Sequence, residues 1–189
     1  GGAMGIGLGI VRRLHEAGAQ VVIADIDVPQ AETAAAELNA KRPHSAIAAH
    51  CDVTSPDEIH QTLASCLKEF NSIDILVNNA GIFPFAPLSQ LDDALFEKVL
   101  NVNLRGVFLF TKIVSEQMIA QGHGGKIINL ASIDALHPSA VGLAAYDASK
   151  HGVWGFTKNL ALERSQHNIW VNAIAPGGVA TPGVAKMSG

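Results

Sequence analysis

Five strand-sized apolar runs alternate with helix-patterned stretches along this sequence, and that alternation restricts the fold more than any other feature. The runs cover residues 19–27, 45–53, 73–81, 125–132 and 169–177. Each is rich in Val, Ile, Leu or Ala and has Asp, Ser or Gly at or next to its end. Strands of that make-up are buried on both faces, which requires a parallel sheet with helices packed on either side. The fold class is therefore α/β, a Rossmann-like doubly wound parallel sheet flanked by helices. In such sheets ligands bind beyond the C-terminal strand ends, so the polar residues closing each run are the functional candidates.

The intervening segments carry helix signals. Asp27 is placed to cap a helix over residues 28–42, with Pro29 in its first turn. Ser55 and Glu58 have capping-box spacing, and Ile59, Leu63, Leu67 and Phe70 line one face of the helix that follows. Two long helices are expected near 92–121 and 144–165. With 48% hydrophobic residues in 189, the chain has enough apolar mass for one domain, its nucleotide half about 1–100 and its catalytic half 101–189. A net charge of −4 without a Lys/Arg block argues against nucleic acid as a partner. No apolar run is long enough to span a membrane. Two cysteines, Cys51 and Cys66, read as reduced buried thiols of a cytoplasmic protein, and eight scattered histidines give no metal-ligand spacing.

The chain begins "GGAMGIG", where Gly1, Gly5 and Gly7 precede or open a helix expected from about Ile6. Glycine there permits a tight turn and close backbone approach to a pyrophosphate, which the positive helix N-terminus favours. An ordinary glycine-rich turn is the plain alternative. Asp25, about twenty residues on at the end of a strand, is placed to accept hydrogen bonds from an adenosine ribose. Its carboxylate repels a 2′-phosphate, and neither Ala3, Met4 nor Ile26 welcomes one. NAD(H) is therefore favoured over NADP(H).

"YDASK" puts Tyr146 and Lys150 on one face of a helix. A nearby ammonium is expected to lower the phenol pKa toward the range of a useful base. Ser132, at the polar end of its strand, is within plausible reach of the same reacting oxygen. Asn103 is out of character inside an apolar helix, and structural-amide and water-relay roles both remain open for it. Asp134 and His137 follow Ser132 and offer hydrogen bonds to a hydroxylated substrate; a solvated loop is the plain alternative. Phe83, Phe85 and Asp147 are further pocket candidates. Phe108, Phe110, Trp154 and Phe156 are either core or subunit-pairing faces.

Together these motifs resemble the short-chain dehydrogenase/reductase (SDR) superfamily from Gly1 to about Pro182. The glycines at 1, 5 and 7 match the end of its T-G-x-x-x-G-x-G loop. Asp52 and Val53 match its adenine-contacting pair, and "NNAG", which includes Asn79, Ala80 and Gly81, matches the motif steadying the central strand. Asn103, Ser132, Tyr146 and Lys150 match the catalytic tetrad. Residues 176–181, with Pro176, Gly177, Val179 and Thr181, match the nicotinamide-side P-G-x-x-x-T.

The resemblance implies interconversion of a secondary alcohol and a ketone by hydride transfer. In it Tyr146 exchanges the proton, Lys150 assists and binds the nicotinamide ribose, Ser132 orients the substrate oxygen, and Asn103 holds a water linked to Lys150. It also implies a homodimer or homotetramer acting on a small-molecule alcohol or ketone. The competing readings are an NADPH-dependent 3-oxoacyl-carrier-protein-type reductase and a non-catalytic nucleotide-sensing protein of the same fold. Two departures from the family pattern stand out. Ser132 precedes Tyr146 by fourteen residues, one more than expected, so a bulge is anticipated between them. The family pattern also has a strand before Gly1 and a lid and strand after residue 189, so the expectation is a fragment lacking those elements.

Overall fold

The computed structural model describes residues 1–180, so Thr181 lies outside the described residues. The chain divides into two compact units, Gly1–Asn71 with residues 178–180, and Ser72–Gly177. The strands form two parallel sheets, one in each unit.

In the first unit, α1 (Gly5–Glu16), β1 (Val21–Asp25), α2 (Val28–Lys41), β2 (Ala46–His50) and α3 (Pro56–Phe70) follow in order. β1 and β2 pair in parallel register from Val21↔Ala46 to Asp25↔His50. Both strands are shorter than their apolar runs. At the end of β1 the chain turns to let Asp27 cap α2, its carboxylate accepting from the Gln30 N–H at 3.1 Å. Ala31, Ala34, Ala35 and Leu38 of α2 bury against Ile23 and Ala46, small side chains that let helix and sheet approach closely.

The capping box of α3 is only half formed. Ser55 accepts from the Glu58 N–H at 3.4 Å, but Glu58 does not return to Ser55. Its Oε2 instead accepts from the Asp52 N–H at 2.7 Å and faces His50 Nδ1 at 3.1 Å, stronger partners that the preceding turn brings within reach. The buried stripe of α3 runs through Ile59, Thr62 and Cys66, with Leu63, Leu67 and Phe70 at its half-buried margins. Cys51 and Cys66 are both buried.

The second unit holds β3 (Ile75–Asn78), α4 (Asp93–Leu100), a π-helical turn (Asn101–Arg105), α5 (Gly106–Gln121), β4 (Gly125–Leu130), a 3-10 turn (Ile133–Ala135), α6 (Ala144–Ser165) and β5 (Ile169–Ile174). Its sheet runs β3-β4-β5, all parallel. A polar belt crosses this otherwise apolar layer where Asn78 and Asn129 pair. Asn78 donates to Thr111 of α5 at 3.0 Å and to Asn129 at 2.8 Å, and Asn129 donates to Thr157 of α6 at 2.9 Å. Each buried amide is thereby satisfied, as burial requires. Gly124, at φ +81°, immediately precedes β4, where a Cβ would collide with the Asn168 carbonyl oxygen. Among the described residues no helix is long and apolar enough to cross a membrane.

Candidate active site

The helix expected over 92–121 is interrupted at its functional residue. Asn101–Arg105 form a π-helical turn joining α4 to α5, and Asn103 in its middle is completely buried. One extra residue in the turn re-aims a side chain without ending the helix, a device concentrated at functional sites. The Asn103 amide is fully engaged. Its Oδ1 accepts from the Ile82 N–H at 2.8 Å, and its Nδ2 donates to the Ile82 carbonyl at 2.8 Å and to Ser149 Oγ at 3.0 Å. The side chain therefore holds the segment after β3, where a Cβ on Gly81 would lie 3.3 Å from Asn103 Oδ1 and 3.7 Å from Lys150 Nζ.

α6 presents the next two groups. Lys150 is buried, and its Nζ donates to the Leu130 carbonyl at 2.7 Å. Burial lowers its pKa to about 8. The Nζ also lies 5.6 Å from the centre of the half-buried Tyr146 ring, and Phe83 packs edge-on against that ring at 6.0 Å. The expected lowering of the phenol pKa does not occur. Burial raises it, Asp134 and Asp147 raise it further, and only the hydrogen bond with Ser132 acts in the opposite direction. The reason is geometric: the Lys150 ammonium sits over the ring and is bound to Leu130, and burial has weakened its hold on its own proton.

Ser132 follows β4 by two residues and is buried. It caps the short 3-10 turn, accepting from the Asp134 N–H at 3.2 Å, and its hydroxyl donates to Asp134 Oδ2 at 2.7 Å. The fourteen-residue interval to Tyr146 is taken up by this turn and by a loop through Gly142, whose φ of +92° suits glycine. Ser132 still reaches Tyr146. Asp134 is not a solvated loop residue: it is buried, and its Oδ1 accepts from the Ser139 N–H at 2.9 Å. Burial alone raises its pKa, but the bonds from Ser139 and Ser132 outweigh that and hold it below the ordinary carboxylate value. His137 is exposed, with its backbone N–H on the Ile133 carbonyl at 3.0 Å.

Ser149 was not marked by the sequence reading. It is fully buried, receives the Asn103 amide and donates to the Tyr146 carbonyl at 2.6 Å, tying the π turn to the first turn of α6. Its place three residues after Tyr146, on the same helical face, is the signal that marks it.

The glycine loop and Asp25 belong to the first unit. Gly1 and Gly2 nitrogens donate to the Ala24 carbonyl at 2.8 and 3.1 Å, and the Ala3 N–H donates to Asp25 Oδ2 at 2.9 Å. The Asp27 N–H reaches Asp25 Oδ1 at 3.0 Å. Asp25 is buried; desolvation raises its pKa, but the N–H groups of Asp27 and Ala3 bring it below its usual value. α1 begins at Gly5 (φ +55°), one residue before the expected start at Ile6, and its N-cap Met4 supplies no side-chain bond. Gly7 is buried in the first turn, and a Cβ on Gly2 would press to 3.2 Å on Ile23. Uncapped amides that donate, a close backbone approach and an ionised carboxylate that accepts are what a dinucleotide needs, and the residues present fit one.

Asp52 accepts both the N–H and the hydroxyl of Thr54 at 2.8 Å, fixing the turn that carries Val53. Asn79, Ala80 and Gly81 follow β3 directly. Pro176 is tied back by its carbonyl to the Ile133 N–H at 2.9 Å, while Gly177 and Val179 are exposed. Among the described residues no group of His, Cys, Asp or Glu side chains is placed to hold a metal ion.

Known proteins resemble this chain along nearly its whole length. The short chain dehydrogenase family model matches residues 1–188. A galactitol 2-dehydrogenase from Agrobacterium fabrum is 42% identical over 177 residues, 94% of this chain and 67% of that protein. An actinorhodin polyketide ketoreductase solved with NADPH superposes with a TM-score of 0.93 at 39% identity, covering 99% of this chain and 71% of the other. A 3-ketoacyl-(acyl-carrier-protein) reductase from Brucella melitensis, solved with NADH, gives 0.90 at 34%, covering 96% and 75%. The chain belongs to the short-chain dehydrogenase/reductase family, oxidoreductases that act on alcohols and ketones with a nicotinamide cofactor.

Proposed function

We propose that this chain interconverts a secondary alcohol and a ketone with NAD(H), using Tyr146, Ser132, Lys150 and Asn103. The observation that carries this reading is the convergence on the Tyr146 phenol: Ser132 bonds to it, and the buried Lys150 ammonium lies over its ring. When bound, the nicotinamide supplies or accepts the hydride. Tyr146 gives or takes the proton of the substrate oxygen, and Ser132 fixes that oxygen in place. Lys150, with a pKa near 8, exchanges protons readily near neutral pH and supplies a positive charge beside the phenol. Asn103 and Ser149 act through position, holding the Ile82 segment and the start of α6 in fixed relation.

Gly1, Gly5, Ile6, Gly7 and Asp25 would hold the adenosine pyrophosphate side of the cofactor. Asp52, Val53, Asn79, Ala80 and Gly81 would line its path. Lys150, Pro176, Gly177, Val179 and Thr181 would hold the nicotinamide side. The Asp25 carboxylate supports NAD(H) over NADP(H) and, with the net charge of −4, argues against an NADPH-dependent acyl-carrier reductase. We further propose a small-molecule alcohol or ketone as substrate, a homodimer or homotetramer, and a cytoplasmic location.

The test is NADH oxidation against a ketone panel by wild type and Tyr146→Phe. Phenylalanine keeps the ring packing against Phe83 and removes the hydroxyl with its exchangeable proton. Turnover should fall by at least ~10³-fold with NADH binding retained; equal turnover in the variant overturns the assignment.

A further inference from the structure

We propose that Ser149 is the positioning residue of the Tyr146 phenol: its hydroxyl bridges the Asn103 amide to the Tyr146 carbonyl, and this bridge governs kcat rather than cofactor affinity. The proposal rests on the catalytic reading above and deepens it. Ser149 is fully buried on α6. A serine hydroxyl has one proton and two lone pairs, and a carbonyl only accepts. In the 2.6 Å contact with the Tyr146 carbonyl the proton therefore belongs to Ser149. A lone pair is left for Asn103 Nδ2 at 3.0 Å, whose other proton goes to the Ile82 carbonyl at 2.8 Å. One hydroxyl thus joins a fixed point, the buried Asn103 amide, to the backbone of the residue that carries the phenol.

The bridge acts where α6 is least held. Tyr146 lies in the first turn, and the N-cap Leu143 supplies no side-chain bond to that turn. Eight residues on, Thr157 repeats the arrangement. It accepts from Asn129 Nδ2 at 2.9 Å and donates to the Val153 carbonyl at 2.7 Å. Ser149, Val153 and Thr157 share one buried face of α6. The Thr157 copy sits in the middle of the helix, and its carbonyl partner carries no reacting group. Two hydroxyls of the same chemistry, one at the phenol and one away from it, separate a positioning role from a structural one.

Without the Ser149 hydroxyl, one buried Asn103 N–H has no acceptor and the Tyr146 carbonyl loses its side-chain donor. Each is the other's complement, so the first turn of α6 is drawn toward the amide and the phenol leaves its place beside Ser132. A misplacement of about 1 Å can cost about 10²-fold in rate. On whichever ketone the enzyme reduces, Ser149→Ala should therefore lower kcat per folded molecule at least ~10-fold and leave the Kd for NADH within ~3-fold. Its urea midpoint should fall as well. Thr157→Val removes a hydroxyl of the same kind, so its urea midpoint should also fall, but kcat should stay within ~2-fold. Ser149→Thr keeps the hydroxyl and should return kcat to within ~3-fold of wild type.

The phenol can also be read without substrate or cofactor, because Tyr146 is the only tyrosine in the chain. The fluorine resonance of biosynthetic 3-fluorotyrosine should move or broaden in Ser149→Ala and keep its wild-type position in Thr157→Val and Ser149→Thr. Wild-type kcat in Ser149→Ala despite a lowered urea midpoint overturns the proposal, leaving Ser149 structural. An equal loss of kcat and an equal change of resonance in Thr157→Val also overturn it, because α6 then softens as a whole. So does a Ser149→Thr variant of wild-type stability that is as slow as Ser149→Ala. If Ser149→Ala fails to fold, Ser149→Cys decides. Its thiol fills the space but bonds weakly, so kcat should fall ~3-fold or more with a displaced resonance, and wild-type values of both overturn the proposal. Full activity in Tyr146→Phe would overturn the catalytic reading and leave the fluorine test standing, so the two failures are separate results.

Discussion

Asn103 and Ile82 are joined by two hydrogen bonds of 2.8 Å, the side-chain amide of one donating to and accepting from the backbone of the other. The amide thus acts as one rung of a strand, placed there by the π turn rather than by sheet pairing. Asn103→Ala would orphan both Ile82 groups. We expect a loss of about 2–4 kcal/mol in urea unfolding, since each buried unsatisfied group costs about 1–3 kcal/mol. Asn103→Asp keeps the acceptor, loses both donated bonds and brings a buried charge, so it should be no more stable than the alanine variant.

Lys150 supports chemistry against stability. Its folded pKa of about 8 lies below the ordinary lysine value of 10.5, so between these the unfolded chain binds more protons than the folded one. Unfolding free energy should therefore rise with pH across that window on account of Lys150; below about 8 the full desolvation penalty applies. The depression corresponds to about 3 kcal/mol at most. Lys150→Met should abolish turnover without lowering Tm at pH 7, and should lose the rise in stability between pH 8 and 10. A Tm drop of several degrees in the methionine variant would show Lys150 to be structural.

Asp25 does two things that a cofactor titration can separate. Its oxygens fix Ala3 and Asp27, and a carboxylate held below its usual pKa stabilises the fold above that range and ceases to do so as pH falls through the folded value. Asp25→Ala should relax the NADH preference mainly by weakening NADH, about tenfold, with a smaller gain for NADPH because the loop loses its anchor. Unfolding at pH 4 and pH 7 should show a smaller difference in the variant than in wild type. A wild type that already binds NADPH more tightly would contradict the cofactor assignment.

Gly81 tests the packing against the buried Asn103 amide and the buried Lys150 amine. A methyl there would sit 3.3 Å from Asn103 Oδ1, an atom that cannot give way without breaking its bond from Ile82. Gly81→Ala should cost about 1–2 kcal/mol in stability and lower kcat more than it raises the KM for NADH. Isothermal titration with NADH and steady-state kinetics would separate those two effects.

Much of this was legible in the sequence because burial on both faces leaves a plain apolar signature. All five strands and the helix over 144–165 came from it, and Asp27 capped the helix it was expected to cap. The π turn was not legible, since one extra residue in the hydrogen-bond ladder barely disturbs an apolar pattern; only the poor helix propensity of Asn103 marked the place. Glu58 had the right spacing for a capping box but found nearer partners in His50 and the Asp52 N–H, a competition decided by the turn. The direction of the Tyr146 shift was misjudged because i, i+4 spacing fixes a face and says nothing of where a long side chain ends. Lys150 ends at Leu130. Asp134 looked like a surface loop residue because its burial depends on the fold of a turn that Ser132 itself caps.

The belt from Thr111 through Asn78 and Asn129 to Thr157 has a consequence for recombination. Its four polar groups lie on four separate segments, and each is satisfied by the next. A chimera that takes β3 from one parent and β4 from another keeps the belt only if both parents carry the same pair at that rung. Crossovers placed outside the stretch from Asn78 to Thr157 inherit the belt whole, whereas those within it strand an amide in the middle of the sheet unless the parents share the belt residues.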